Sequence, residues 1–275
     1  MIYCILSYNI YYNTILRKEV ENVCRRKNPS YIKYPKKEGR VTVKELSSKF
    51  NVTEDCIRKD LKNIEKISSI RRIYGGAVLA RETLENQDTK DRKEINIPTK
   101  KIIAEKAFNL IEDRETIFLD ISTINILLAK LLAESNKKVT LVTNMLDILN
   151  VVTSKPNNLN IISTGGLLNL SLDGFVGTPT IEFISKYKFD KTFMGSCGVD
   201  VFNSSLTTFE IEDGLTKKAI INSSKKVFIV MEDKKFKFDG NFKFAHLEDI
   251  SSIITEKAPT PDIVDILSEF NVNVL

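Results

Sequence analysis

The sequence predicts an α/β protein in which a small basic head precedes a larger domain built on a mostly parallel sheet. Two short amphipathic helices and a glycine-containing hairpin follow one another between residues 40 and 80. From residue 100 onward, short apolar strands alternate with helices. Charge divides the chain at the same place, since residues 1–80 hold 17 Lys and Arg against 8 Asp and Glu, whereas the other residues hold 24 against 28.

The head begins with two helices joined by a tight turn. Val43, Leu46 and Phe50 fall on one face at helical spacing, so this face of the first helix is expected to be buried. Asn51-Val52 forms the turn, and Thr53 is a suitable N-cap for the second helix. The arrangement is typical of a helix-turn-helix.

The second helix has an apolar face and a basic face. Its apolar face carries Ile57, Leu61 and Ile64. Its opposite face carries Arg58, Lys59, Lys62 and Lys66. A helix with this division docks on its partner helix and presents its basic side to a DNA groove. The same pattern also fits an ordinary helical hairpin with a solvated charged face.

A two-stranded wing is predicted after these helices. Ile70–Ile73 and Ala77–Leu79 alternate around Tyr74-Gly75-Gly76, which is expected to form the turn. Arg71 and Arg72 are placed to reach phosphates or the minor groove, or else to lie on a solvated strand edge.

Two motifs in this head resemble the DeoR family of bacterial regulators of sugar metabolism. They run from Val41 to Leu61 and from Arg72 to Ala77. The resemblance implies that Arg58 and Lys59 face the major groove and that Thr53 and Lys62 set the register on phosphates. The implied DNA-binding residues are Thr53, Arg58, Lys59, Lys62, Arg71, Arg72, Gly75 and Gly76.

The segments on either side of this domain are less regular. Residues 1–39 are expected to be an atypical N-terminal extension with a degenerate first helix, because Pro29 and Pro35 interrupt it. Residues 40–80 then form the winged helix-turn-helix. Residues 81–99 are polar and without periodicity, so they are interpreted as a linker.

Residues 100–275 are predicted to form the α/β domain. The expected strands are Thr116–Leu119, Val139–Thr143, Asn160–Ser163, Thr192–Gly195, Val227–Met231 and Ser252–Thr255. The expected helices are Lys100–Glu112, Thr123–Ala133, Met145–Thr153, Pro179–Tyr187, Glu210–Ser223 and Pro261–Phe270. Alternation of this kind predicts a mostly parallel sheet covered on both faces.

Polar clusters follow five of the predicted strands. Ligands of open parallel sheets bind at the carboxyl ends of strands, beside helix N-termini. The clusters contain Asp120, Ser122, Thr123, Thr143, Asn144, Gly165, Gly166, Gly195, Gly198, Asp233 and Lys235. Each cluster alone is most often an N-cap or a turn. Five at one edge favour a site for a small anionic ligand.

Further motifs in this domain resemble the C-terminal sensor domain of the DeoR family. They are Ile103–Ala107, Asp120–Thr123, Thr143-Asn144, Gly165-Gly166, Asp190–Val199, Glu210–Lys217 and Asp233–Phe236. The resemblance implies the fold of ribose-5-phosphate isomerase and a phosphorylated sugar as effector, and it adds Glu210 and Lys217 to the expected site. The family usually has two threonines in the helix-opening turn, where this chain has Thr123-Ile124.

Several classes of site are disfavoured by composition. Cys4, Cys24, Cys56 and Cys197 are widely separated and His246 is the only histidine, which argues against structural zinc and against a histidine-based triad. No metal or cofactor is expected. Scattered cysteines and the absence of a long apolar run are typical of a cytoplasmic protein without a membrane partner.

Three functions remain open from the sequence. The favoured one is a repressor that binds operator DNA as a homodimer or homotetramer and responds to a sugar phosphate. The second is a sugar-phosphate isomerase, in which Asp120, Glu210 or Asp233 acts as a base beside Lys217 or Lys234. The third is a sensor whose DNA-binding head has decayed.

Overall fold

The computed structural model describes residues 40–65, 70–79, 81–83 and 89–275. It divides the chain into two compact units, and the second begins at Glu82. The expectations for residues 1–39 and for Lys66 lie outside the described residues.

The first unit is a helix-turn-helix followed by a hairpin, as predicted. Helix α1 (Val43–Phe50) begins with a capping box, in which the side chains of Thr42 and Glu45 each accept a hydrogen bond from the other's backbone. Asn51 ends α1 in the left-handed conformation, with φ of 49°. Thr53 then caps helix α2 (Glu54–Ile64), accepting from the Cys56 N–H at 3.3 Å.

The wing has one more strand than the sequence predicts. Strands β2 (Ile70–Ile73) and β3 (Gly76–Leu79) form the expected hairpin, and β1 (Arg40–Thr42) pairs antiparallel with β3. Strand β1 has only three residues and leads directly into a helix, so it shows no alternation of apolar and polar residues from which it could be predicted. The helices and wing share a small core of Val43, Leu46, Phe50, Ile57, Leu61 and Ala77.

The second unit is centred on a seven-stranded sheet in which every pair is parallel. Its strands are β5 (Thr116–Leu119), β6 (Thr140–Thr143), β7 (Asn160–Ser163), β10 (Phe189–Met194), β13 (Ser224–Val230), β16 (Ser252–Ile254) and β17 (Asn273–Val274). They lie in the order β17-β16-β13-β10-β5-β6-β7. The predicted α/β fold class is confirmed.

Helices cover both faces of this sheet. They are α3 (Thr89–Lys93), α4 (Ile97–Asn109), α5 (Thr123–Glu134), α6 (Leu146–Thr153), α7 (Thr178–Ile184), α8 (Ile211–Asn222) and α9 (Pro261–Glu269). Ile117 and Leu119 of β5 belong to a core shared with α4, α5 and α6. Phe118 points the other way, into a core shared with α7, α8 and α9.

The chain from 81 to 99 differs from the expected linker. Strand β4 (Glu82–Thr83) pairs in parallel with β14 (Phe238–Asp239) of the second unit. Helix α3 is anchored by Thr89, which is 1% exposed. Helix α4 begins at Ile97 rather than at Lys100, because Pro98 occupies its first turn. Tertiary contacts order residues 82–83 and 89–99 although their sequence has no apolar period.

A short β-hairpin and a small antiparallel sheet in the second unit were not predicted from the sequence. Strands β8 (Leu167–Asn169) and β9 (Gly174–Val176) form a hairpin. Strands β11 (Gly198–Asp200), β12 (Ser205–Thr208) and β15 (Phe242–Ala245) form a second sheet. All are three or four residues long, which is too short for a period of two to stand out. Among the described helices, none is long and apolar enough to cross a membrane.

Candidate functional site

The exposed side of α2 is the candidate DNA-binding surface of the first unit. Arg58, Lys59 and Lys62 are exposed, whereas Ile57 and Leu61 are 4% exposed. Arg58 donates to the carboxylates of Glu54 at 2.6 Å and Asp55 at 3.0 Å, one turn earlier in the helix. These ion pairs are exposed to solvent, so they restrain the guanidinium only weakly.

The wing residues have distinct roles. Arg72 forms an ion pair with Glu65 at 2.8 Å, which connects the wing to the end of α2. Gly75 has φ of +77° in the turn, a conformation that favours glycine, and its carbonyl accepts from the Val43 N–H at 2.7 Å. Gly76 is buried at the start of β3. The Arg71 side chain lies outside the described parts, so its predicted role stays a prediction.

In the second unit, the predicted polar clusters lie at one edge of the sheet. Each cluster follows the carboxyl end of β5, β6, β7, β10 or β13, and these strands are all parallel. The strand order reverses between β5 and β10, since β6 and β7 lie on one side and β13 and β16 on the other. Open α/β sheets bind ligands at such a switch point.

A buried lysine with two carboxylates occupies the switch point. Lys217 of α8 donates to Asp120 Oδ2 at 2.5 Å and lies 3.2 Å from Asp213 Oδ1. Asp120, which follows β5, also accepts from the N–H of Gly195, which follows β10, at 3.1 Å. Thr208 donates to the other oxygen of Asp213 at 2.5 Å. These contacts connect two strand ends with helix α8.

Burial sets the protonation of this cluster. It raises the pKa of Asp120 to about 6, although Lys217 acts in the opposite direction. Burial by itself lowers the pKa of Lys217, but Asp120 and Asp213 outweigh it and raise the pKa above the ordinary value. Lys217 therefore remains charged at neutral pH, and Asp120 is the group that takes up a proton on mild acidification.

The polar residues after β5 and β6 mainly bond to the neighbouring backbone. Ser122 caps α5, accepting from the Ile124 N–H at 3.3 Å, and Thr123 is buried at the first position of that helix. Thr143 donates to the Leu119 carbonyl at 2.7 Å, and Asn144 donates to the Phe175 carbonyl at 3.2 Å. They hold the strand ends in register at the edge where a ligand would bind.

The glycines allow close approach of backbone segments. Gly165 and Gly166 have positive φ, and a Cβ at Gly166 would collide with the Thr180 side chain. A Cβ at Gly195 would lie 2.8 Å from the Ile121 carbonyl, and one at Gly198 would overlap the Phe238 carbonyl. Their requirement for glycine therefore follows from packing and backbone conformation, before any ligand is considered.

The remaining predicted residues are distributed around the site. Glu210 occupies the N-cap position of α8, and its side chain accepts from Asn169 of β8 at 2.6 Å. Lys235 lies at the edge and donates to the Ser196 carbonyl at 2.5 Å. Asp233 instead forms an ion pair with Lys257 at 3.1 Å. The structure thus brings Asp120, Gly195 and Lys217 into direct contact, and it occupies Asp233 elsewhere.

Four buried polar atoms at this edge have no hydrogen-bond partner among the described residues. They are Oδ1 of Asp120, Oδ1 of Asn125, Oδ1 of Asn144 and Oγ1 of Thr164. Buried polar groups in folded proteins are nearly always satisfied, so such a cluster requires an explanation. A polar ligand at the ends of β5, β6 and β7 would supply the missing partners.

Sequence reasoning missed several residues of this edge. Asp213 stands four residues before Lys217 on the same helix face, a spacing that could have identified it. Asn125 donates to the carbonyls of both Asp120 and Phe193 at 2.8 Å and so joins β5 to β10. Glu232 lies two residues after the end of β13 and accepts from Asn96 at 2.6 Å. The last contact spans 136 residues, and no local pattern signals it.

Two family models match the chain. The model described as the DeoR-like helix-turn-helix domain matches residues 30–83, and that of the DeoR C-terminal sensor domain matches residues 95–257. Together they span both units.

Curated relatives match most of the chain as well. The glycerol-3-phosphate regulon repressor of Escherichia coli K12 is 30% identical over 244 residues, which cover 88% of this chain and 95% of the relative. The HTH-type transcriptional repressor GlcR of Bacillus subtilis is 28% identical, over 87% of this chain and 91% of the relative.

Among solved structures, ribose 5-phosphate isomerase A from Methanocaldococcus jannaschii matches with 14% identity and a TM-score of 0.37. The match covers 50% of this chain and 52% of the isomerase. At these values the likeness carries no conclusion about activity.

Proposed function

The chain belongs to the DeoR family of transcriptional regulators, and we propose that it represses genes of sugar metabolism under the control of a phosphorylated sugar. The first unit binds operator DNA, and the second binds the effector. The effector changes DNA affinity by favouring one arrangement of the protein over another.

The DNA-binding part of the proposal is supported by the division of α2 into two faces. Ile57 and Leu61 are buried against α1, which leaves Arg58 and Lys59 exposed, with Lys62 exposed one turn later. In a helix-turn-helix the second helix enters the major groove, where Arg forms bidentate bonds with guanine. Thr53, at the N-terminus of this helix, is suited to contact a phosphate.

The effector part rests on one observation, the four buried oxygens without partners at the carboxyl ends of β5, β6 and β7. A polyhydroxylated molecule donates hydrogen bonds to such acceptors, which suits a sugar. Lys235 at the same edge supplies positive charge for a phosphate, and Lys217 holds Asp120 in place beside it. The predicted effector residues at the neighbouring strand ends complete the proposed site.

An isomerase is the second candidate, and the geometry of Asp120 disfavours it. A general base for proton abstraction must reach the substrate within hydrogen-bond distance. Asp120 is fully buried, and its Oδ2 is occupied by both Lys217 and the Gly195 N–H. Asp233 is occupied by Lys257. The curated relatives reported above are regulators, which agrees with binding without turnover.

We also expect the protein to act in the cytoplasm as a homodimer or homotetramer. Helix-turn-helix proteins read two half-sites that lie one helical turn of DNA apart, about 34 Å, so two copies of α2 are needed. Symmetric assembly supplies them at matched spacing.

The test is a gel-shift titration with the full-length protein and the DNA upstream of its own gene. We expect specific retardation at about 100 mM salt, a condition that suppresses weaker non-specific binding. One member of a panel of sugar and polyol phosphates should change the apparent affinity, while the unphosphorylated compounds should not. Turnover of that compound by the purified protein would instead support the isomerase.

A further inference from the structure

The exposed large apolar side chains of the second unit are concentrated on two elements. They are Leu167, Leu168 and Leu170 on β8 and the turn after it, and Ile211 and Leu215 on α8. The Asn169 side chain of β8 donates to Glu210 Oε2 at the N-cap of α8, at 2.6 Å, so the two elements lie side by side. Contiguous exposed apolar surface on a folded protein marks a site of interaction.

Leu167 borders the exposed face of α8. Successive side chains of a strand point to opposite sides, so Leu167 shares one side of β8 with Asn169, which bonds to Glu210. Ile211 directly follows Glu210. Leu167 and Ile211 are 67% and 60% exposed. The apolar surface therefore continues from the hairpin to the first turn of the helix.

The outer face of α8 is unusual for a helix that covers a sheet. Its exposed stripe follows the helical repeat and consists of Ile211, Leu215, Lys218 and Asn222. The outer face of such a helix normally carries polar and charged residues. Here the first two turns of the stripe carry isoleucine and leucine, while the inner face of the same helix is already packed on the second unit.

Opposite charges flank the apolar part of the stripe. At about 3.6 residues per turn, Glu212 lies about 80° to one side of the line midway between Ile211 and Leu215, and Lys218 lies about 40° to the other side. Both side chains are exposed. Within the ranges that the structure describes, neither forms an ion pair. The stripe thus has an acidic flank and a basic flank, each open to a partner.

This surface is complementary to a second copy of itself. A two-fold axis parallel to the stripe places the acidic flank of one copy beside the basic flank of the other, and the apolar residues meet between them. A two-fold axis that crosses the stripe within the plane of the interface would place like charges side by side. The charges therefore favour the first of the two symmetric arrangements.

The first unit offers less surface for such a contact. Among its described side chains, Tyr74 is the only large apolar one that is exposed. Residues 1–80 hold 17 Lys and Arg against 8 Asp and Glu, so two copies of this part of the chain repel each other. The apolar contact that brings two copies of α2 to one operator therefore has to come from the second unit.

We propose that the outer stripe of α8, extended by Leu167 of β8, is the surface through which two copies of this chain associate. The inference rests on the proposed homo-oligomer and specifies the residues that join its copies. Ile211 and Leu215 bury apolar surface between the copies, and Glu212 of each copy pairs with Lys218 of the other.

The apolar part of the surface is tested by Leu215→Glu in the full-length protein, with Val264→Glu as the matched control. Val264 is an exposed apolar residue on α9 of the same unit. Sedimentation velocity over a dilution series without DNA measures association, and melting curves show whether each variant folds. We expect Leu215→Glu to weaken association at least tenfold and Val264→Glu to stay within twofold of the wild type.

The charged flanks allow a test that remains valid if Leu215→Glu is unstable. Glu212→Lys leaves two basic flanks and Lys218→Glu leaves two acidic flanks, so each variant repels its own copies. We expect each variant alone to associate at least tenfold more weakly than the wild type. An equimolar mixture should assemble, because every basic flank then meets an acidic one. The double variant Glu212→Lys with Lys218→Glu should associate as the wild type does.

Wild-type association in Leu215→Glu and in both charge variants would overturn the inference, and the proposed repressor would then assemble through another surface. Folded charge variants that fail to assemble when mixed would overturn the proposed pairing of Glu212 with Lys218. A wild-type protein that is monomeric both free and on operator DNA would overturn the inference together with the proposed homo-oligomer. The gel shift tests DNA binding itself separately from all three outcomes.

Discussion

At the scale of single residues, the second unit depends on Lys217 and its two carboxylates. The ammonium, both carboxylates and the Thr208 hydroxyl are buried, so each charge is compensated only by its neighbours. Removing one member of a buried ion pair leaves the other charge unpaired, which typically costs about 3–5 kcal/mol.

We predict that Lys217→Met lowers the free energy of unfolding of the second unit by about 3–5 kcal/mol at pH 7.5. Because the folded-state pKa of Asp120 is about 6, above its ordinary value, its stabilising contribution is present at low pH and is lost as pH rises through 6. Without Lys217, which acts to lower it, the pKa of Asp120 rises further. The free energy of unfolding of the variant should thus be closest to that of the wild type near pH 5 and furthest from it near pH 8.

Urea denaturation at pH 5, 6.5 and 8 measures this difference. The double variant Asp120→Asn with Lys217→Met is the control, because it removes one of the two carboxylate charges that the single variant leaves unpaired. It should recover part of the stability at pH 8. A deficit in the single variant that is independent of pH would show that lost packing, rather than lost charge, causes the effect.

Arg58 is the second residue whose chemistry can be tested directly. We predict that Arg58→Ala lowers operator affinity at least tenfold and changes the free energy of unfolding by less than about 1 kcal/mol, since exposed ion pairs within a helix contribute little. Gel shifts measure the first effect and thermal melting the second. The control is Lys44→Ala, which changes an exposed residue of α1. If Arg58→Ala bound the operator as tightly as this control, the proposed role of Arg58 in DNA binding would be contradicted.

At the scale of elements, the wing and the two helices support one another. Strand β1 leads directly into α1, and β3 lies between β1 and β2. The Gly75 carbonyl in the wing turn accepts from the Val43 N–H at the start of α1. The turn of the wing thus fixes the beginning of α1, the helix against which α2 packs.

We predict that Gly75→Ala destabilises the first unit by about 1–2 kcal/mol, because alanine is strained in the left-handed region. A Cβ at this position meets nothing within 4 Å, so the cost comes from the backbone and not from a collision. Gly75→Asn should cost less, since asparagine tolerates positive φ. Hydrogen exchange of the β2 and β3 amides measures the effect; equal protection in both variants would refute the backbone explanation.

At the scale of the whole molecule, the division of charge separates the two tasks. Residues 1–80 carry an excess of nine positive charges, and the others carry an excess of four negative charges. A basic head attracts DNA, while an acidic body reduces non-specific contact of the remaining surface with phosphates.

We predict that operator affinity falls about 10³–10⁵-fold between 50 and 200 mM salt, as expected for 6–10 phosphate contacts in the proposed dimer. The slope of the logarithm of affinity against that of salt concentration gives the number of contacts. Lys62→Ala should reduce this slope by about two, one contact for each subunit, because it removes a phosphate contact from both copies of α2. A slope unchanged in Lys62→Ala would exclude Lys62 from the interface.

The sequence by itself determined most of the local structure. The bounds of β5 and β7 were predicted to the residue, and those of α5, α6, α8 and α9 within one residue at each end. Long amphipathic periods and Ser or Thr caps act over a few residues, so they can be read without a fold. The polar clusters at the carboxyl ends of the strands were also visible, because parallel strands bring such ends to one edge.

Only the tertiary structure decided which of these residues meet. Lys217 lies 97 residues from Asp120, and they are joined because β10 and β5 are neighbours at the switch point while α8 packs on the same sheet. Likewise, the polar residues from 89 to 96 carry no signal of order, yet Asn96 donates to Glu232 and the Arg92 carbonyl accepts from Lys100. Strand order is set by the packing of whole layers, and a local pattern contains no information about it.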